Sequence, residues 1–221
     1  MIAQGIQRKI QVGFRRYGFL ISQILQWIVL AYQAVAAAIF LIALYLGSRW
    51  IQQPFLGAFY EHTLVFNGTG SAQPDPAWAL FGQVKVGDQL IEVNETPVKN
   101  AVEVQNILAD RFPGEAVSVT IRTTDGDTRS LDVTLYPFPE SSQRTYFIIP
   151  SILGGVFLLV SLWIFGFRRS EPAGRAFSLF TSSLAIITGA YFNLNTTHEF
   201  TYMWTLACGI AGGALVNLTF V

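Results

Sequence analysis

Long uncharged stretches dominate the chain, and one region between them alternates apolar and polar positions with frequent turn residues. Between Arg16 and Arg49 there is no Asp, Glu, Lys, Arg or His, and the residues from Phe19 to Gly47 are almost all apolar. A bilayer core of about 30 Å takes about 20 helical residues, so a transmembrane helix is predicted over 19–48. The run exceeds the roughly 7–15 apolar residues of a signal peptide, and Leu46-Gly47-Ser48-Arg49-Trp50 offers no small-residue cleavage site. It reads as an uncleaved anchor. Three further runs, Tyr146–Phe167, Ala176–Thr197 and Phe200–Val221, are uncharged but for Glu199 just outside the last. They predict spans over 146–167, 174–194 and 200–221, with Asn193 and Asn195 marking a polar turn at the end of the second of these. Upstream, Ile2, Ile6, Ile10 and Phe14 recur every four positions while Arg8, Lys9, Arg15 and Arg16 lie mostly off that stripe. Residues 1–18 are therefore expected to form a cytoplasmic basic amphipathic segment on the membrane surface, or a basic tail that sets topology.

Residues 51–138 follow different rules. His62–Phe66 ends in an apolar run suited to a strand, and Gly68–Pro76 is loop-like in composition. Gln89–Asn94 alternates as a strand and leads into a turn at Glu95-Thr96-Pro97. A helix is predicted over Ala101–Arg111, with Val102, Val104, Ile107 and Leu108 as its apolar positions and Asn100 as its N-cap. Pro113-Gly114 stops it. Ala116–Thr123 and Thr128–Tyr136 then alternate around an Asp125-Gly126-Asp127 turn, which reads as a hairpin.

Composition agrees with this division. Hydrophobic residues make up 52% of the 221 and charged residues only 13%, about half the usual charged share, which argues against a soluble globular enzyme. The 14 basic and 14 acidic residues cancel, which argues against a basic nucleic-acid binder. Their positions say more. The segment before the first span and the loop at Arg168, Arg169, Glu171 and Arg175 sum to +6, whereas residues 49–145 and Glu199 sum to −6. Basic flanks stay in the cytoplasm, so the N-terminus is expected inside and residues 51–138 outside.

The run Val86-Gly87-Asp88-Gln89-Leu90-Ile91-Glu92-Val93-Asn94, then Thr96-Pro97-Val98, a helix, Pro113-Gly114-Glu115 and two strands resembles a bacterial PDZ domain over about residues 53–137. The sequence departs from the usual pattern in having Gly82-Gln83-Val84 before the Gly-Asp element and Glu95 where many members have glycine. The resemblance implies peptide binding by strand addition at a sheet edge. It maps the carboxylate-holding loop onto Phe55, Leu56, Gly57, Ala58 and Phe59, and the groove onto the strand about Phe59–Phe66 and the helix 101–111, with Val104 and Leu108 as pocket residues. The competing reading of Phe55, Leu56 and Phe59 is interfacial packing of the domain onto the membrane, beside Trp50 and Tyr60.

The fold expected is thus an α+β membrane protein, with a PDZ-like β-sandwich or barrel and its helix inserted between transmembrane helix 1 and a three-helix transmembrane segment. The whole chain is also similar to the membrane-input region of bacterial sensor histidine kinases, which implies a plasma-membrane location and a kinase core beyond the apolar end at Val221. Catalytic motifs are missing. His198-Glu199 begins the His-Glu-x-x-His pattern of intramembrane metalloproteases, but Tyr202 stands where the second ligand belongs, and no Gly-x-Ser-x-Gly occurs. No enzyme activity, cofactor or metal is expected for these residues. The expected partners are the bilayer, a peptide or protein C-terminus and other copies of the chain, but not nucleic acid. Cys208 is the only cysteine and reads as a packing residue. Gln23, Gln26 and Gln33 are expected to face other helices or the interface, and Gly209-x-x-x-Gly213 to pack closely against a neighbour.

Overall fold

The computed structural model describes residues 2–71 and 75–220, with side chains from residue 20 onward. Helix α1 (Ile2–Trp50) is one uninterrupted helix of 49 residues, about 74 Å long at 1.5 Å per residue. No break separates the basic segment from the predicted span. The side chains of its first 18 residues, and with them the expected amphipathic stripe, lie outside the described residues.

The domain between α1 and the second apolar run, called outer because it lies beyond one end of the helical bundle, carries β1 (Pro54–Phe55), a 3₁₀ turn (Pro76–Trp78), β2 (Gln89–Val93), β3 (Thr96–Pro97), α2 (Ala101–Ala109), β4 (Ala116–Arg122), β5 (Thr128–Thr134) and β6 (Tyr136–Pro137). One sheet has the order β3-β2-β4-β5, and β1 pairs with β6. The two-residue turn between β2 and β3 places Asn94 and Glu95 at φ 49° and 61°, the left-handed conformation that such a turn demands. Asn94 also accepts from Ser118 N at 3.1 Å, so its amide fixes the turn against β4. Helix α2 begins as expected: Asn100 Oδ1 accepts from Glu103 N, and Glu103 Oε2 accepts in return from Lys99 N, a reciprocal cap. It ends two residues earlier than the pattern implied.

Alternation along β4 sends Val117, Val119 and Ile121 inward, where they meet Leu90, Val93, Val104, Leu108 and Val133. The buried carboxylate of Asp88 sits beside this core. It accepts from Lys85 N at 3.0 Å and Thr124 N at 3.1 Å, and Arg129 Nη2 lies 3.5 Å away. One side chain thereby ties the start of β2 to the β4–β5 hairpin. Asp88→Ala is expected to lower the domain's stability by about 2 kcal/mol, the scale for hydrogen bonds to a buried charge, measured by denaturant unfolding of the reconstituted chain.

The predicted strand His62–Phe66 does not form. Leu64 takes φ 64°, Leu64 N donates to Glu61 O, and only isolated bridges, Tyr60 to Phe66 and Val65 to Gln89, remain. A positive φ at a leucine ends extended backbone whatever the apolar pattern.

The second apolar run is α3 (Glu140–Gln143), a π turn (Arg144–Ile148) and α4 (Ile149–Arg168) in continuous succession. After it come α5 (Pro172–Gly189), α6 (Tyr191–Asn195) and α7 (Thr201–Phe220). Three helical stretches are long and apolar enough to cross a membrane: Leu20–Trp50, Glu140–Arg168 and Thr201–Phe220. The segment predicted as a span over 174–194 differs from them. It is divided at Ala190 between α5 and α6, and α5 carries Arg175 and five hydroxyl residues in its 18. The reason lies in its neighbours. Helix α5 touches α1, α4 and α7, so most of its surface meets protein, and its Ser178, Thr181, Ser182 and Ser183 hydroxyls bond to carbonyls one turn back.

A buried polar network holds α1, α4 and α5 together. Gln33 Nε2 donates to Ser161 O at 3.0 Å and to Ser161 Oγ at 2.8 Å, and Ser161 Oγ donates to Ser178 O at 2.8 Å. Gln33 thus faces other helices, Gln26 is half-buried and Gln23 is exposed. Within the chain, Gly209 and Gly213 make no close helix approach. A Cβ added at Gly209 or Gly213 would meet nothing within 4 Å, because α7 packs instead through the small stripe Ala207, Ala211 and Ala214. Cys208 is half-buried.

The bundle has two chemically different ends. At one, Arg175 Nη1 lies 3.5 Å from Ser22 Oγ and donates to the carbonyls of Arg169 and Ser170. At the other, the ends of α1 and the start of the second apolar helix meet the outer domain. The basic residues of the α4–α5 turn therefore sit at the end away from that domain.

Candidate functional site

The junction between outer domain and bundle is a cluster of aromatic rings. Trp50 closes α1, Phe55 and Phe59 come from the loop after it, Trp78 from the 3₁₀ turn, Phe138 from the segment after β6 and Phe192 from α6. Trp50 stands edge-on to Phe138 and Phe192, each with ring centroids 5.4 Å away. Phe59 meets Trp78 at 5.1 Å and 89°. Such edge-to-face pairs add to the gain from burial. Trp78 keeps its polar atom satisfied by donating from Nε1 to Ser142 Oγ at 3.0 Å. Gly47 permits the approach, since a Cβ there would come within 2.6 Å of the Phe147 ring.

The loop 55–59 predicted to hold a carboxylate is buried at this junction, and its residues point two ways. Phe55 and Phe59, each 1% exposed, enter the aromatic cluster, while Leu56 and Ala58 join the domain core with Val104 and Leu108. Gly57 takes φ +94°, and a Cβ on it would lie 3.1 Å from Leu80 N and 3.2 Å from Ala77 O. Its carbonyl accepts from Phe81 N at 2.8 Å. The glycine is needed because the 3₁₀ turn packs directly over the loop.

Between this loop and α2 lies a narrow slot. Leu56, Ala58 and Tyr60 form one wall, Gln105 and Leu108 a second, and Asn195 and Thr196 of the bundle close it. The free space is about 10 Å³, enough for about one water molecule. Of the residues singled out from the sequence, Phe55, Leu56, Ala58, Phe59 and Leu108 line the slot, while Gly57 and Val104 do not. Three contacts between the domain and residues 195–198 were not legible in the sequence. Gln105 Nε2 donates to Thr196 O at 2.9 Å, Asn67 Nδ2 donates to Asn195 Oδ1 at 3.0 Å, and the rings of Tyr60 and His198 stand 6.0 Å apart. Asn195 carried the only signal, as a polar residue closing an apolar run.

His198 sits at φ 60°, and its Nε2 is buried without a hydrogen-bond partner. Burial, reinforced by the nearby His62, lowers its pKa to about 4, against a smaller opposing pull from the hydrogen bond with the Leu194 backbone. The ordinary histidine value is about 6.5, so folding disfavours the protonated form. Stability from this site is complete above about pH 6.5 and is lost as pH falls toward 4. Acidification over that window is expected to loosen the junction, read as faster amide exchange in residues 192–200. His198→Asn, which tolerates positive φ, is expected to flatten the response. An unchanged pH profile in that variant would exclude His198 as its source.

Among the described residues, no group of three or more His, Cys, Asp or Glu side chains is placed to hold a metal ion. The slot is edged by the Gln105 amide donor and the loop 55–60, and one of its walls belongs to the helical bundle. Compared with known proteins, the chain matches no family model and no curated protein.

Proposed function

We propose that the chain is a membrane-anchored input module. In this reading an extracytoplasmic PDZ-like domain takes a peptide or protein chain end in the slot between residues 55–60 and α2, and the bundle carries the resulting shift across the membrane toward a cytoplasmic effector. The observation that supports it is the shared wall of the slot: Leu56, Tyr60 and Gln105 belong to the domain, and Asn195 and Thr196 to the bundle. Anything seated there acts on both parts together. A ligand transmits a signal only if two states of the bundle differ in affinity for it, and in this reading a site built from both parts would differ between them. The basic residues at the far end of the bundle, Arg168, Arg169 and Arg175, support an outward-facing domain by the charge rule.

A second reading follows from the burial of Phe55 and Phe59 in the aromatic cluster. It makes the domain a fixed structural cap that binds no free peptide. The two are separated by titrating the whole chain in lipid nanodiscs with a library of fluorescent octapeptides carrying free C-termini, beside the same peptides amidated. Saturable binding that needs the free carboxylate supports the input module, and no binding by any peptide supports the cap. Orientation is checked with Asp125→Cys in a Cys208→Ala background. Labelling by a membrane-impermeant maleimide in intact cells is expected, and protection would reverse the topology.

A further inference from the structure

We infer that residues 195–198 are an intramolecular occupant of the slot, so that an external peptide binds only by displacing them and thereby moves α7. The inference rests on the peptide reading above and concerns how that site is regulated. Ligand-binding pockets enclose about 300–1,000 Å³, whereas the slot retains about 10 Å³. Asn195 and Thr196, where α6 gives way to the connection into α7, stand against the slot and close it. Their contacts with the domain are those of a bound chain: the Thr196 backbone carbonyl accepts from the Gln105 side-chain amide, and the Asn195 side chain accepts from Asn67. An incoming extended peptide would offer carbonyls to the same Gln105 donor.

The occupant is held imperfectly, as a displaceable element must be. His198 lies in the left-handed region at φ 60°, and Asn193 Oδ1 and His198 Nε2 are buried without hydrogen-bond partners. Residues in such conformations, and polar atoms left unpaired, each raise the energy of the seated state. Release would relax both. The connection leads directly into Thr201 at the start of α7, which packs mainly on α5. Withdrawal of residues 195–198 would free the outer end of α7 while the Ala207, Ala211 and Ala214 contacts hold its middle.

The test uses the whole chain in nanodiscs with Cys208→Ala throughout. Asn67→Cys with Asn195→Cys allows the two sides to be joined by a short, reducible bis-methanethiosulfonate linker, and binding of the same free-carboxyl octapeptide library is measured before linking, after linking and after reduction. The expected result is binding that is lost on linking and restored by reduction. Asn195→Ala alone, which removes one tie of the occupant, is expected to tighten binding about fivefold. Equal affinity of linked and reduced protein, or no gain in Asn195→Ala, would overturn the intramolecular occupant and leave the peptide reading standing. Absence of binding in every form, Asn195→Ala included, would overturn the peptide reading and the inference with it.

Discussion

Replacing Phe59 by alanine is expected to destabilise the docked outer domain by about 3–5 kcal/mol, the usual range for emptying a buried phenylalanine site. The ring is 1% exposed and meets Phe55, Trp78, Phe138, Tyr146 and Phe192 at centroid distances of 5.1–6.3 Å. The vacated space cannot close easily, because its walls come from α1, the 3₁₀ turn, the segment after β6 and α6, which move independently only if the junction opens. Trp50 and Trp78 lie in the same cluster, so their fluorescence during thermal unfolding in nanodiscs reports the loss directly. A cost below about 1 kcal/mol, the level of an ordinary surface substitution, would show that the cluster does not hold the domain to the bundle.

Gly154→Leu is expected to damage the bundle severely, costing about 3 kcal/mol by overpacking. Even a Cβ at this position would lie 2.8 Å from the Phe40 ring and 3.0 Å from Gly189 Cα. Three helices, α1, α4 and α5, converge there, and Phe40 also fills the space over Gly189. A leucine must push α4 away from α5, which lengthens the bonds of Ser161 to Ser178 and Gln33. The measurement is the fraction of folded protein extracted in mild detergent, with Gly166→Leu as the control, since a Cβ at Gly166 meets nothing within 4 Å. Equal yields from the two variants would contradict the crossing described for α4 and α5.

Local chemistry made the outer domain readable in advance. The turn residues Asn94, Gly114 and Gly126, the Asn100 cap and the alternation of Val117, Val119 and Ile121 each act within a few residues, and β2, α2, β4 and β5 formed close to where those signals put them. What failed depended on distant partners. The strand at His62–Phe66 was lost to the turn at Leu64, whose side chain is 1% exposed in the domain core. The run over 174–194 does traverse the bundle, from Arg175 at one end to Phe192 at the other; what its apolar pattern did not disclose is that α5 is surrounded by helices and carries serines that bond back along its own backbone. On α7, glycine spacing pointed to one face while the alanine stripe supplied the packing. For the site, the resemblance to a PDZ domain implied that the loop 55–59 and Leu108 are neighbours in space, and both line the slot. The sequence contained nothing to show that Asn195 and Thr196, which lie 90 and 91 residues beyond Gln105, close the slot.

The outer domain is clamped to the bundle with the slot closed, and one distance distribution tests this directly. Spin labels at Asp127→Cys on the β4–β5 turn and Tyr202→Cys at the start of α7, both exposed positions, are introduced in a Cys208→Ala background and measured by pulsed electron resonance in nanodiscs. A clamped domain gives a single narrow distribution at neutral pH that broadens when Phe59→Ala is added. A broad distribution in the otherwise unchanged protein would mean that the domain moves freely above the membrane and that the closed slot is not its resting state.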